Sequence, residues 1–102
     1  MLEERIEIND LSIDIPGHEV IIGNKKLELT LRQFDLLTFM ARNRGRVITR
    51  PKILLEVWGE TNGTTLRAVD TEMCRLRKKL ETVSISPNRL ISIRGMGYKF
   101  VQ

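Results

Sequence analysis

Apolar residues alternate with polar ones through the start of the chain: Ile6 and Ile8, then Leu11, Ile13 and Ile15, then Val20 and Ile22, then Leu27 and Leu29. A period of two puts every second side chain on one face of a strand, so these runs predict strands with one buried face. Between them lie Asn9-Asp10, Pro16-Gly17 and Gly23-Asn24, residue types that preset φ or tolerate positive φ and so favour tight turns. Residues 1–30 therefore read as a four-stranded antiparallel meander.

At Thr30 the period changes. Thr30-Leu31-Arg32-Gln33 has the form of a capping box, in which a threonine hydroxyl and a glutamine side chain satisfy orphan amide groups at a helix start. Leu31, Phe34, Leu37 and Ala41 follow three or four apart, and Leu36, Phe39 and Met40 widen the apolar face until Asn43 and Gly45 end the helix. Val47-Ile48 is a short extended piece. Thr49 then caps a second helix over 51–58, with Pro51 tolerated in its first turn and Ile53, Leu54, Val57 and Trp58 facing inward. Gly59 stops it, and a polar loop over 60–65 leads to the longest helical stretch, 66–83. Segments 90–94 and 98–101 flank Gly95-Met96-Gly97 and predict a hairpin within 89–101. Four strands, three helices over 31–83 and a hairpin make an α+β domain.

The chain has 102 residues, 17 Lys+Arg against 13 Asp+Glu, a net charge of +4 and a single cysteine and histidine. That length suits one domain that needs no disulfide or metal to fold, since such staples become necessary below about 70 to 80 residues. The longest apolar runs, such as 36–41, fall far short of the roughly 20 residues that span a bilayer, so cytoplasmic residence without a membrane partner is expected. With only Cys74 and His18, neither an intrachain disulfide, a multi-histidine metal site nor a Ser-His-Asp arrangement is readily built. No cofactor, no metal and no catalysis are expected.

The third helix carries most of the information. Projected at 100° per residue from Arg67, Leu66, Val69, Met73, Leu76 and Leu80 fall within roughly 180° to 260°, an apolar stripe. Arg67, Thr71, Cys74, Arg75 and Lys78 fall between about 340° and 80°, a stripe with three cations and no acid. A helix fits the major groove of B-DNA, where arginine donates in a bidentate way to guanine while other cations grip phosphates. A solvated basic face would show the same charges. Two features favour the groove: the preceding helix makes a helix-loop-helix pair, with a loop longer than in the plain helix-turn-helix, and Arg94 projects beside a glycine-rich hairpin tip, where a narrow minor groove attracts arginine.

These residues resemble the winged-helix output domain of bacterial response regulators of the OmpR/PhoB class, over nearly the whole chain. The resemblance rests on Leu29-Thr30 with Phe34 and Leu36-Leu37; Gly45-Arg46-Val47-Ile48-Thr49-Arg50; Leu54-Leu55 with Val57-Trp58-Gly59; Arg67-Ala68-Val69-Asp70; Arg75-Leu76-Arg77-Lys78-Lys79-Leu80-Glu81; and Ile93-Arg94-Gly95-Met96-Gly97-Tyr98-Lys99-Phe100. It implies a winged helix-turn-helix with the third helix in the major groove and the hairpin wing in the flanking minor groove. By position it implies that Arg67 clamps a phosphate, that Thr71 and Arg75 face bases, and that Arg77 makes a further backbone or base contact. Lys78 lies on the same stripe. Arg94 becomes the minor-groove arginine, Ser92 and Tyr98 steady phosphates, and Arg50 with Trp58 lies where the second helix approaches the backbone. The loop 59–65 resembles the segment through which relatives touch RNA polymerase. Two positions depart from the pattern: Glu72, often basic or neutral in relatives and able to accept from cytosine N4, and Cys74, where several carry arginine.

Plainer roles compete at several positions. Arg42 and Arg44 suit the negative end of the first helix dipole, and Trp58 and Phe100 suit the core. Arg77 borders the apolar arc, within reach of Asp70 and Glu81. His18 reads as a turn residue. Cys74 has no second cysteine to resolve a sulfenic acid, which disfavours a redox switch.

The leading expectation is sequence-specific binding of double-stranded DNA for transcription regulation in a two-component phosphorelay, by a monomer that pairs head to tail on direct repeats. A winged helix that binds an acidic protein partner is the alternative; it would expose an apolar patch on the third helix or wing, and the sequence shows none. A phosphorylatable receiver domain, itself served by a sensor kinase, precedes such domains, and 102 residues leave no space for one. The chain is therefore expected to be the effector half of a longer protein, with 1–5 a linker remnant.

Overall fold

The computed structural model describes residues 4–59, 63–83 and 89–101. Strands β1 (Arg5–Ile8), β2 (Leu11–Asp14), β3 (Glu19–Ile22) and β4 (Lys25–Leu27) form an antiparallel sheet in sequential order. Register follows the alternation: Ile6 opposes Ile13, Ile13 opposes Val20, and Val20 opposes Leu27, all on the buried face. Asn9 at the first turn has φ 53 and His18 at the second has φ 52, in the left-handed region that Asn and His enter more readily than most residues. Ile15 and Leu29 fall just outside the strands and pack against the core from its edge.

Helix α1 (Leu31–Arg42) starts at the expected capping box: Thr30 Oγ1 accepts from the Gln33 amide at 3.2 Å and Gln33 Oε1 accepts from the Thr30 amide at 3.1 Å. Phe34, Leu36, Leu37, Met40 and Ala41 are buried, but Leu31 is 63% exposed. The helical period had placed Leu31 on the core face. As the first helical residue it precedes the turn at which the core-facing stripe begins, so its side chain stays in solvent.

The short piece Val47–Ile48 is strand β5, which pairs with the C-terminal hairpin; β5, β7 (Gly97–Phe100) and β6 (Leu90–Ile93) form a second antiparallel sheet. The turn sits one residue earlier than expected on both sides: Arg94 belongs to the turn rather than to β6, and Gly97 is already in β7, which ends at Phe100. Gly97 has φ 151, and a Cβ there would lie 2.1 Å from the Ile48 carbonyl oxygen. The close approach of β7 to the Ile48–Thr49 backbone therefore requires glycine.

The second helix also differs from a plain α-helix over 51–58. Thr49 caps α2 (Arg50–Ile53) through its hydroxyl, which accepts from the Lys52 amide at 3.3 Å, and the chain then widens into a π-helical turn over Leu54–Trp58. Ile53 and Leu54 are buried, whereas Val57 and Trp58 are half-buried at the rim of the core. Arg32 on α1 holds this end: its Nη1 donates to the Val57 carbonyl at 3.0 Å and its guanidinium lies 4.7 Å over the Trp58 ring. A carbonyl at the end of a helical segment is thereby satisfied by a side chain, and the cation meets the negative face of the indole. Gly59, at φ 79, ends the turn.

Helix α3 (Leu66–Val83) buries Val69, Met73, Leu76 and Leu80 completely, the stripe its periodicity predicts, while Leu66 packs on the core from the edge. Lys79, off the basic stripe, reaches α1, where its Nζ donates to Gln33 Oε1 at 2.7 Å and to the Glu28 carbonyl at 3.2 Å. The N-cap of α1 is thus joined to α3. Across the molecule, Arg89, only 2% exposed, pairs with Asp10 in the first turn of the N-terminal sheet. Its carbonyl accepts from the Val101 amide at 2.7 Å. Burial pulls the Arg89 pKa down, which the adjoining carboxylate opposes.

Candidate nucleic-acid interface

The outward side of α3 carries Arg67, Thr71, Cys74, Arg75 and Lys78, all exposed, opposite the buried stripe. Arg77 is half-buried at the border of the two. Glu72 sits beside the basic stripe in a recess of about 420 Å³ shared with Arg32, Trp58, Arg67 and Thr71. Its carboxylate accepts from Arg75 Nη1 at 3.2 Å, with the Glu72 side chain 22% exposed and that of Arg75 63%. Neutralising a cation from the edge of the stripe restrains the Arg75 guanidinium without burying it.

At the other edge, α3 meets α2 and the hairpin around Asp70. Arg50 Nη1 donates to Asp70 Oδ2 at 2.9 Å and the Tyr98 hydroxyl donates to Asp70 Oδ1 at 2.8 Å. Asp70 therefore pairs with these two groups rather than with Arg77, which the helical spacing had also allowed. Burial, with the hydrogen bond and the negative charge of Asp70, pushes the Tyr98 pKa up to about 12. The phenol remains a proton donor at neutral pH.

Above this contact lies a cleft of about 590 Å³ between the start of α2, the start of α3 and the hairpin, lined by Thr49, Arg50, Asp70, Ser92 and Tyr98 and reaching Gly95 and Met96. Ser92 and Arg94 are exposed. Met96 at the tip is 59% exposed, an apolar residue on the wing that the sequence reading had not set apart. The structure thus brings ten of the twelve residues singled out in the sequence onto two recesses and the stripe between them, with Arg77 at the border of the stripe and Arg94 beside the cleft at the hairpin turn. Asp70, Arg32 and Lys79 were missed as organising residues. Of the loop 59–65, residues 60–62 lie outside the described residues.

Elsewhere, His18 stacks on Phe34 with ring centroids 4.5 Å apart, a packing role. Among the described residues, no three His, Cys, Asp or Glu side chains gather to hold a metal ion, and no helix is long and apolar enough to cross a membrane.

The family described as "Transcriptional regulatory protein, C terminal" matches residues 24–100, which takes in both recesses and the whole of α3. The chain belongs to that family. It is 38% identical over 96 residues to the DNA-binding response regulator MtrA of Mycolicibacterium paratuberculosis, covering 94% of this chain and 43% of MtrA. The structure of response regulator DrrB, a Thermotoga maritima OmpR/PhoB homolog, is similar with a TM-score of 0.82 and 35% identity over 98% of this chain and 45% of DrrB. The Klebsiella pneumoniae RstA DNA-binding domain, solved in complex with the RstA box, is similar with a TM-score of 0.85 and 31% identity, over 97% of this chain and 98% of that one. The family, with these relatives, places the four-stranded sheet, three helices and C-terminal hairpin among OmpR/PhoB-class winged-helix effector domains. The chain spans less than half the length of the curated relatives it matches.

Proposed function

We propose that this chain binds double-stranded DNA in a sequence-specific way and regulates transcription, as the output domain of a two-component response regulator and without catalysis of its own. The observation that carries this reading is the outward side of α3, where Arg67, Arg75 and Lys78 stand exposed in one stripe opposite four fully buried residues. A helix anchored on one side and cationic on the other is built to enter a major groove. The likeness to RstA, whose domain was solved with its DNA box, supports the same use.

In this reading Thr71 and Arg75 face base edges, with Cys74 and Glu72 beside them. Arg67, Arg77 and Lys78 meet the flanking backbone. Arg94 enters the minor groove, and Arg50, Trp58, Ser92 and Tyr98 approach phosphates on either side. Glu72 must release Arg75, or share it, when Arg75 turns to a guanine; the pair is exposed enough for that exchange to be inexpensive. In a longer cytoplasmic protein, a receiver domain and its kinase control the module, copies pair in tandem on direct repeats, and the loop 59–65 meets RNA polymerase.

The test is a titration of the isotopically labelled chain with a duplex it selects from a random pool, followed by amide NMR. Shifts concentrated at 67–78 and 92–98 are expected. Shifts concentrated on the outer faces of β1 to β4 would overturn the assignment.

A further inference from the structure

One carboxylate ties together the three elements that form the proposed DNA face. Asp70 rises from the second turn of α3 and accepts from Arg50, the first residue of α2, and from Tyr98 in β7. Both donors are ones the DNA reading directs at phosphates. To a guanidinium or a phenol, a carboxylate oxygen and a phosphodiester oxygen offer the same acceptor chemistry. Asp70 thus already holds what a phosphate at this cleft would need. Its side chain is 39% exposed and that of Arg50 45%, so the pair is open to exchange.

Two consequences have opposite sign. Held by Asp70, the long Arg50 side chain and the hairpin are oriented before DNA arrives, which favours a complex in which base contacts fix the register. Yet the negative charge opposes any phosphate that approaches, and nonspecific binding is almost wholly electrostatic. A complex with many equivalent registers gains little from orientation and bears the whole repulsion.

We propose that Asp70 is a positioning residue that sets DNA specificity: it orients Arg50 and Tyr98 for the operator complex while weakening nonspecific capture of phosphates by the same donors. This rests on the DNA-binding reading of the face, and goes beyond it by giving an acidic residue a positive part in discrimination. The Tyr98 phenol, kept protonated, remains a donor to whichever acceptor occupies the cleft.

The experiment compares wild type, Asp70→Asn, Asp70→Ser, Arg50→Gln and the Asp70→Asn, Arg50→Gln double variant by fluorescence anisotropy. The probes are a duplex selected by the wild-type chain from a random pool and a scrambled duplex of the same composition, each across a salt series. Removing the Asp70 charge is expected to tighten the scrambled duplex about two- to fivefold, the scale of an exposed ion pair, while the selected duplex gains less, so discrimination falls. The slope of log K against log salt for the scrambled duplex should steepen by up to about 0.9 as Arg50 engages a phosphate. That steepening should vanish in the Arg50→Gln background. Equal weakening of both duplexes, or the same steepening without Arg50, would overturn the proposal. Failure of both Asp70 variants to fold would make Asp70 a folding residue and overturn it as well. Failure of the wild type to bind any duplex would instead overturn the DNA reading itself.

Discussion

The N-terminal sheet and the face made by α2, α3 and the hairpin differ in what joins their parts. The sheet gives Ile6, Ile13, Val20 and Ile22 to the common apolar core, and its strand-to-strand ion pairs, Arg5 with Asp14 and Lys26 with Glu19, lie at exposed positions, where each contributes little; the pair of Asp10 with the buried Arg89 ties its first turn to the start of the hairpin. At the outer edge of the other region, elements far apart in sequence meet through polar groups: Arg50 with Asp70, Tyr98 with Asp70, Arg32 with the end of the second helix. Apolar burial holds a shape against solvent but is indifferent to direction. Hydrogen-bonded ion pairs are directional and exchangeable. The first kind holds the fold together; the second gathers the donors of the proposed DNA face.

The comparison would break if the two sides of α3 were not separable. Leu76 is fully buried, so Leu76→Ala should cost about 2–5 kcal/mol of stability, read as a lower midpoint in urea, with DNA discrimination of the still-folded fraction unchanged. Gly97→Ala forces a methyl against the Ile48 carbonyl, a backbone atom that cannot turn aside. It should cost at least about 2 kcal/mol and also displace the hairpin, so that its damage crosses from one region to the other. Arg75→Ala should leave the urea midpoint where it is, since the side chain is exposed, and relax preference at one base pair by about 1–3 kcal/mol. Selection of binding sites by the variant from a random pool would show that position becoming degenerate.

The smallest effect concerns pH. Tyr98 is the single tyrosine, and its pKa is raised from its ordinary value of 10.0 to about 12. Between these values the unfolded chain loses the phenolic proton and the folded chain keeps it, so stability falls as pH rises through that window. Ultraviolet absorbance should report one late tyrosine titration in the folded chain, and Tyr98→Phe should remove its share of the alkaline loss. Titration at the ordinary value would mean that neither the burial of the phenol nor its Asp70 contact persists in solution.

The elements with repeated apolar spacing are legible in the sequence: the four strands, α1 with its capping box, and the buried and exposed sides of α3. Local period and cap chemistry record which face of an element is buried. They do not record what a polar residue meets elsewhere in the chain. Thus β5 looked like a short extended piece, because a two-residue strand has no period and its partner β7 lies far along the chain. Arg89 with Asp10, Arg50 with Asp70 and Lys79 with Gln33 leave no local signal for the same reason. Leu31 reads as inward because a helical wheel does not distinguish a first turn from an interior one. The π-helical turn at Leu54–Trp58 was equally hidden, since the apolar residues there satisfy α-helical spacing almost as well. Of the proposed DNA-facing residues, those on α3 follow from segregation of charge around one axis; Arg50, Ser92, Arg94 and Tyr98 follow from family resemblance and turn chemistry, and only the folded chain gathers Arg50, Ser92 and Tyr98 at one cleft with Asp70.

The most direct test of the central claim, that the exposed side of α3 and the hairpin turn form a surface for duplex DNA, is anisotropy binding to a generic duplex across a salt series, with an Arg75→Ala, Arg94→Ala double variant alongside. Each phosphate neutralised should contribute about −0.9 to the slope of log K against log salt. A steep slope that is clearly shallower in the folded double variant is the predicted result. No binding at low salt by the folded wild type, or an identical slope and affinity in the double variant, would contradict it.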